Sequence, residues 1–184
     1  MDIQLVNEPF PEVVFRQSHA RSDGVHLSQI IRDLEETLYP NKYAGTTHWN
    51  LNIAAQVGVM WELVLERAYR DLFAVDVGEL ICDGVFGTPD GVGFDDDGPY
   101  VEEYKATYKG SDKSPVDVFH YRMQGLGYCK MLGVDRVMYR IIHLMGDWKG
   151  SGPQYRVWMI HWDQQEIDET WQSLLNHAKY KGWL

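Results

Sequence analysis

The sequence predicts an α/β (α+β) protein in which helices flank a mixed central β-sheet, and three observations carry that prediction. Apolar residues recur at helical spacing in the first third of the chain and again at its end. Between them lie runs rich in β-branched and aromatic residues, punctuated by Gly- and Asp-rich turns. A strongly signalled helix falls between two groups of these runs, and that mixture favours a layered sandwich around one sheet.

The elements follow in order. A first helix begins near Ser28, a good N-cap, and runs through Ile30, Ile31, Leu34 and Leu38 to Pro40. Thr46 or Thr47 caps a second, longer helix whose apolar set is Leu51, Ala54, Ala55, Gly58, Trp61, Leu65, Ala68 and Leu72. Three strands are expected around 75–86, 91–95 and 99–107. Ser114-Pro115-Val116-Asp117 is a helix start, with Ser as cap, Pro in the first helical position and Asp in the first turn. That helix stops at Leu132-Gly133. Strands at 136–144 and 155–162 flank a loop at 146–153, and a last helix runs from about Asp163 to Tyr180.

The chain has 184 residues, 45% hydrophobic and 24% charged, which suits one domain over 1–184 with a substantial core. No apolar run approaches the ~20 residues of a membrane span, and the N-terminus lacks the pattern of a signal peptide. A cytoplasmic protein with no membrane partner is expected. The two cysteines, Cys82 and Cys129, have no metal-type spacing and read as buried free thiols, with a structural disulfide as the alternative.

The chemistry gathers in Thr88-Pro89-Asp90 and, thirteen positions after the aspartate, Glu103-Tyr104-Lys105. On a strand Glu103 and Lys105 project to one face while Glu102 and Tyr104 project to the other. The sequence between reads as strand, tight turn, strand, so a hairpin folds Asp90 back beside Glu103. Two carboxylates and an ammonium then share a site suited to Mg²⁺-dependent phosphodiester chemistry. Asp90 and Glu103 are carboxylate ligands, with the carbonyl of Tyr104 at the same edge. Lys105 orients or deprotonates the attacking water. Taken singly, these are a turn residue and a solvated strand face; taken jointly, the hairpin context favours the site.

Glu62, four residues after Gly58 on the second helix, is a third carboxylate for the metal, with Glu66 its rival. Gly58 is expected to allow a close packing approach. Gln124 and Tyr128 share a helix face, where Gln124 bonds a phosphate or the site carboxylates and Tyr128 supports Lys105 or stacks on a base. Gly125 and Gly127 between them imply tight packing on the sheet or room for a nucleotide. The net charge is −10, but residues 104–140 hold seven Lys/Arg against three Asp. That strip either holds a phosphate backbone or is a set of scattered solvated charges.

With these residues assembled, the chain resembles the PD-(D/E)XK nuclease superfamily, in its RecB-like, phage lambda-exonuclease-like branch. Gly58-x-x-x-Glu62 looks like the family's first acidic motif, Thr88-Pro89-Asp90-Gly91 like its Pro-Asp, Val101-Glu102-Glu103-Tyr104-Lys105 like its Glu-x-Lys, and Gln124-x-x-x-Tyr128 like the extra motif of the RecB-like branch. The resemblance implies a restriction-endonuclease-like core and cleavage of DNA with Mg²⁺ or Mn²⁺. By the same resemblance, Arg21 and Ser28 are candidates for binding a DNA end phosphate, although Ser28 is equally explained as a helix cap. It implies a phage or prophage exonuclease in recombination, replication or DNA degradation. Such a protein acts in the bacterial host cell, as a homo-oligomer or beside a phage recombinase or single-strand-binding protein. Relatives with an iron–sulfur cluster carry four cysteines; two are present here, so no cluster is expected. An endonuclease of the same fold shares every feature. A catalytically silent DNA-binding or assembly module has no evident use for the full Asp90, Glu103 and Lys105 set. A sugar hydrolase using paired carboxylates gives Lys105 no task.

Overall fold

The structure, a computed structural model, describes residues 22–42, 48–69, 74–75, 77–150 and 152–184. Arg21, Thr46 and Thr47 lie outside them. The elements run β1 (Val25–His26), α1 (Leu27–Leu38), α2 (His48–Tyr69), β2 (Ala74–Val75), β3 (Leu80–Cys82), β4 (Val85–Gly87), β5 (Gly91–Asp95) and β6 (Gly98–Thr107). A 3-10 turn (Pro115–Asp117) then leads into α3 (Phe119–Leu132), β7 (Arg136–His143), β8 (Gln154–His161) and α4 (Gln164–Tyr180). A five-stranded sheet has the order β2-β5-β6-β7-β8, and a three-stranded sheet has the order β1-β4-β3. In the larger sheet β6 and β7 are parallel and the other pairs antiparallel. Parallel neighbours need a crossover, and α3 supplies it. The architecture is the expected mixed sheet flanked by helices.

Two expectations change. The α1 helix starts at Leu27 with His26 as N-cap and no side-chain cap bond, so Ser28 lies in the first turn and does not cap. The cause is the strand before it: Val25 and His26 pair with Val85 and Phe86 of β4, and the chain enters the helix directly from that ladder. The run 75–86 is not one strand either. Asp83 and Gly84 adopt positive φ, 48° and 80°, and make a two-residue turn between the paired Cys82 and Val85. Asp-Gly is a strong hairpin signal for that geometry.

Other local signals hold. Ser114 and Asp117 form a capping box, although the first residues it starts are a 3-10 turn and the α-helix proper begins at Phe119. Gly133 closes α3 in the left-handed conformation at φ 68°. The Asp163 carboxylate accepts from the Glu166 N–H at 2.8 Å and caps α4.

One core joins the sheet to α1, α3 and α4: Leu27, Ile30, Val101, Leu126, Val137, Tyr139, Ile141, Ile167, Trp171 and Leu174 are all buried within it. Gly125 and Gly127 serve packing. A Cβ on Gly125 would overlap the Tyr139 hydroxyl on β7, and one on Gly127 would press on Leu27 of α1. Gly58 does not show the expected close approach, since a Cβ there meets nothing within 4 Å among the described residues. No helix of the described residues is long and apolar enough to cross a membrane.

Candidate active site

The β5–β6 hairpin builds the site as its sequence requires. Gly91 pairs with Glu102 and Asp95 with Gly98, a register that brings Asp90 opposite Glu103. The Asp90 carboxylate accepts from the Tyr104 N–H at 2.5 Å. Lys105 Nζ donates to Glu103 Oε1, and the Glu103 side chain is fully buried. Period-two alternation therefore places Glu103 and Lys105 together, while Glu102 on the other face forms a two-pronged bond with Arg140 of β7 at 2.8 Å for each prong.

Burial is the largest influence on Asp90 and on Lys105. It pushes the Asp90 carboxyl up from its ordinary value, against the Lys105 charge and the Tyr104 N–H, which favour ionisation. For Lys105 burial works downward, but the Glu103 and Asp90 charges and the Glu103 hydrogen bond together outweigh it, so the amine is held above its ordinary value. In this arrangement Lys105 is a cation, suited to orienting an oxygen rather than to taking its proton.

Gln124 and Tyr128 of α3 do share a face, and they are bonded to each other. Gln124 Nε2 donates to the Tyr128 hydroxyl at 3.2 Å, and that hydroxyl donates to the Thr88 carbonyl at 2.8 Å. Tyr128 thus ties α3 to the segment that presents Asp90. Gly87 lets the helix come this close, because a Cβ there would stand 3.0 Å from Tyr128 Cε1. The ring next to the Lys105 ammonium is that of Tyr121, 5.7 Å from Nζ to the centroid. Sequence reasoning missed Tyr121. It lies one turn before Gln124, and that position was the available signal.

Glu62 falls within α2, which packs along β6. Neither its side chain nor that of Glu66 is among the described ones. Among the described residues no three His, Cys, Asp or Glu side chains converge, and the pair Asp90 and Glu103 is what stands at the site. Ser28 is on α1, beside His26, Gln29, Arg32 and Trp183 in a surface cleft away from the hairpin.

The basic strip is mostly consumed inside the protein. Lys105 pairs with Glu103, Arg122 with Glu166, Lys130 with Asp168, Arg136 with Asp95 and Arg140 with Glu102. Lys109 and Lys113, both exposed, stand outside these pairs. Five of the strip's seven basic residues are therefore committed to ion pairs within the chain, those of Arg122 and Lys130 at the surface.

No protein-family model matches the sequence, and no curated protein does. Solved structures match its fold. One is SSO0001, 19% identical, with a TM-score of 0.51 over 86% of this chain and 78% of that one. Another is the alkaline exonuclease LHK-Exo from Laribacter hongkongensis, 16% identical, with a TM-score of 0.50 over 86% of this chain and 89% of that one. The latter protein has also been crystallised in complex with dAMP. The mixed sheet flanked by helices expected from the sequence is the fold that this chain shares with an alkaline exonuclease.

Proposed function

We propose that this chain is a metal-dependent deoxyribonuclease that hydrolyses phosphodiester bonds, an exonuclease of phage or prophage type. The observation that carries the reading is the hairpin site, with Asp90 and Glu103 side by side and a charged Lys105 bonded to Glu103 and facing the Tyr121 ring of α3. DNA as substrate is supported by the fold shared with an alkaline exonuclease.

The donor set suits a hard divalent cation. Asp90, Glu103 and the Tyr104 carbonyl offer oxygen only, and burial leaves Asp90 short of compensating positive charge. Mg²⁺ or Mn²⁺ held there, with Glu62 as the third carboxylate, would polarise the scissile phosphate and acidify a water. The Lys105 ammonium donates to the attacking oxygen and offsets charge that builds on the phosphoryl group. Tyr121 covers one side of that ammonium, and Tyr128 fixes the Thr88 carbonyl so that Asp90 keeps its aim.

The test is incubation with Mg²⁺ of linear duplex DNA labelled at one 5′ end, beside a closed circle. Loss of the linear DNA with the circle intact is the expected result, and Asp90→Asn and Lys105→Ala should each abolish it. Cutting of the circle would make the protein an endonuclease. Tight DNA binding without cutting in either metal would make it a silent module. Sedimentation, alone and with a recombinase or single-strand-binding protein, tests the proposed oligomer and partners.

A further inference from the structure

Beyond Lys105 the β6 strand ends at Thr107 and delivers Tyr108 and Lys109, three and four residues or roughly 10–13 Å along the chain from the site lysine. The end of β7 is fastened beside it. Leu144 N–H donates to the Thr107 carbonyl at 2.9 Å, Ser111 N–H donates to the Gly146 carbonyl at 2.9 Å, and the buried His143 ring meets the Lys109 carbonyl at 3.0 Å. Two loops become one fixed rim.

Two aromatic side chains stand out from the rim, Tyr108 at 46% and Trp148 at 61% exposure. Trp148 is held at φ 63°, a conformation bulky residues rarely adopt, with its N–H on the Met145 carbonyl at 3.1 Å. Its ring lies along the Gly110 backbone, where a Cβ would come within 3.4 Å of Trp148 Cδ1. Lys109 and Lys149, the chain neighbours of these rings, are exposed, as is Lys113, whose N–H donates to the Gly110 carbonyl at 3.1 Å. Of the two nearby acids, Asp147 turns its carboxylate onto the Lys149 N–H at 2.9 Å, and Asp112 is exposed.

We infer that this rim is a stacking platform for a single DNA strand, with bases on Trp148 and Tyr108 and phosphates against Lys109, Lys113 and Lys149. Rings spaced among ammonium groups match a single strand, which offers base faces and phosphates together; a duplex keeps its base faces stacked inside. That the strand leads to or from the Asp90 site rests on the nuclease reading. The platform itself does not need that reading, and its test is chosen accordingly.

Binding is measured by fluorescence anisotropy of labelled oligo(dT) in EDTA, where no hydrolysis occurs. Trp148→Gly suits the local backbone and removes only the ring; Tyr108→Ala is the second variant. Each should weaken binding roughly tenfold, and each lysine-to-alanine change should lower the salt slope by about 0.7. Hydrolysis of thymidine 5′-p-nitrophenyl phosphate in Mn²⁺ should be unchanged, because that small diester does not reach the rim. Unaltered oligo(dT) binding by both aromatic variants would overturn the platform while leaving the nuclease reading intact. Weakened binding in a protein that cleaves neither substrate would keep the platform and defeat the nuclease reading. Unaltered oligo(dT) binding with lost self-association in Trp148→Gly would overturn it in favour of a contact between copies.

Discussion

The Tyr128 hydroxyl acts as a brace. Buried, it donates to Thr88 and accepts from Gln124, and burial first, then the Glu103 charge, holds the phenol above its ordinary value so that it stays a donor. Tyr128→Phe leaves the Thr88 carbonyl and the Gln124 amide without that partner, at a cost of about 1–3 kcal/mol. The expected outcome is a lower melting temperature and a kcat for DNA hydrolysis reduced about tenfold, with KM little changed. A variant with wild-type kcat would remove the brace from the account. Asp90, Glu103 and Lys105 were legible because a strand and a tight turn leave little choice about which side chains meet. Tyr121 was not: its contact runs from the start of one helix to a strand sixteen residues earlier, and no local period reports that.

At the scale of elements, β6 carries two buried carboxylates, one on each face, with different partners. Glu103 looks toward Lys105, and Glu102 is spent on Arg140 of the parallel neighbour. Burial raises Glu102 above the ordinary carboxylate value even with Arg140 bonded to it, so the pair makes costly use of the sheet. Arg140→Met should cost about 3–5 kcal/mol by leaving Glu102 buried alone, while the double change Glu102→Leu with Arg140→Met should recover most of that loss. Urea denaturation of the cycle decides it; an additive double variant would mean that the two groups do not act as a pair. A single Arg among Val137, Met138, Tyr139 and Ile141 was the sequence signal for this bond. The stop of α3 was readable from Gly133 alone, while Ser114 and Pro115 marked the 3-10 turn that leads into it, and Ser28 failed as a cap because a two-residue strand pairing preceded it.

At the scale of the whole molecule, ion pairs tie distant segments. Asp33 on α1 meets His177 and Lys181 near the C-terminus, Asp95 meets Arg136, and Asp168 on α4 meets Lys130 on α3. Hydrogen bonds from these partners hold all three carboxyls below their ordinary values. A depressed folded pKa contributes stability that is present above the unfolded value, near pH 4, and lost as pH falls through the folded one. The urea midpoint should therefore decline as pH falls below about 4, and Asp33→Asn should make that decline shallower. A midpoint unchanged down to about pH 2 would exclude these pairs as contributors. Five basic residues of the 104–140 strip fold into such pairs, and net charge along a sequence does not say which carboxylates fold back onto it.

The turn between β5 and β6 has a further consequence. Strand β6 is zipped to β7 over seven residue pairs, so it is β5 that must slide if the turn changes length. Arg136 grips that turn through the Asp95 carboxylate and the Gly98 carbonyl. One residue added or removed there would move Asp90 off the Tyr104 N–H and reverse the facing of β5. Loop tips usually tolerate insertion. This one is a caliper: its length sets the gap between Asp90 and Glu103 from the far end of the hairpin, so a change at the surface would be read as lost chemistry in a chain that still folds.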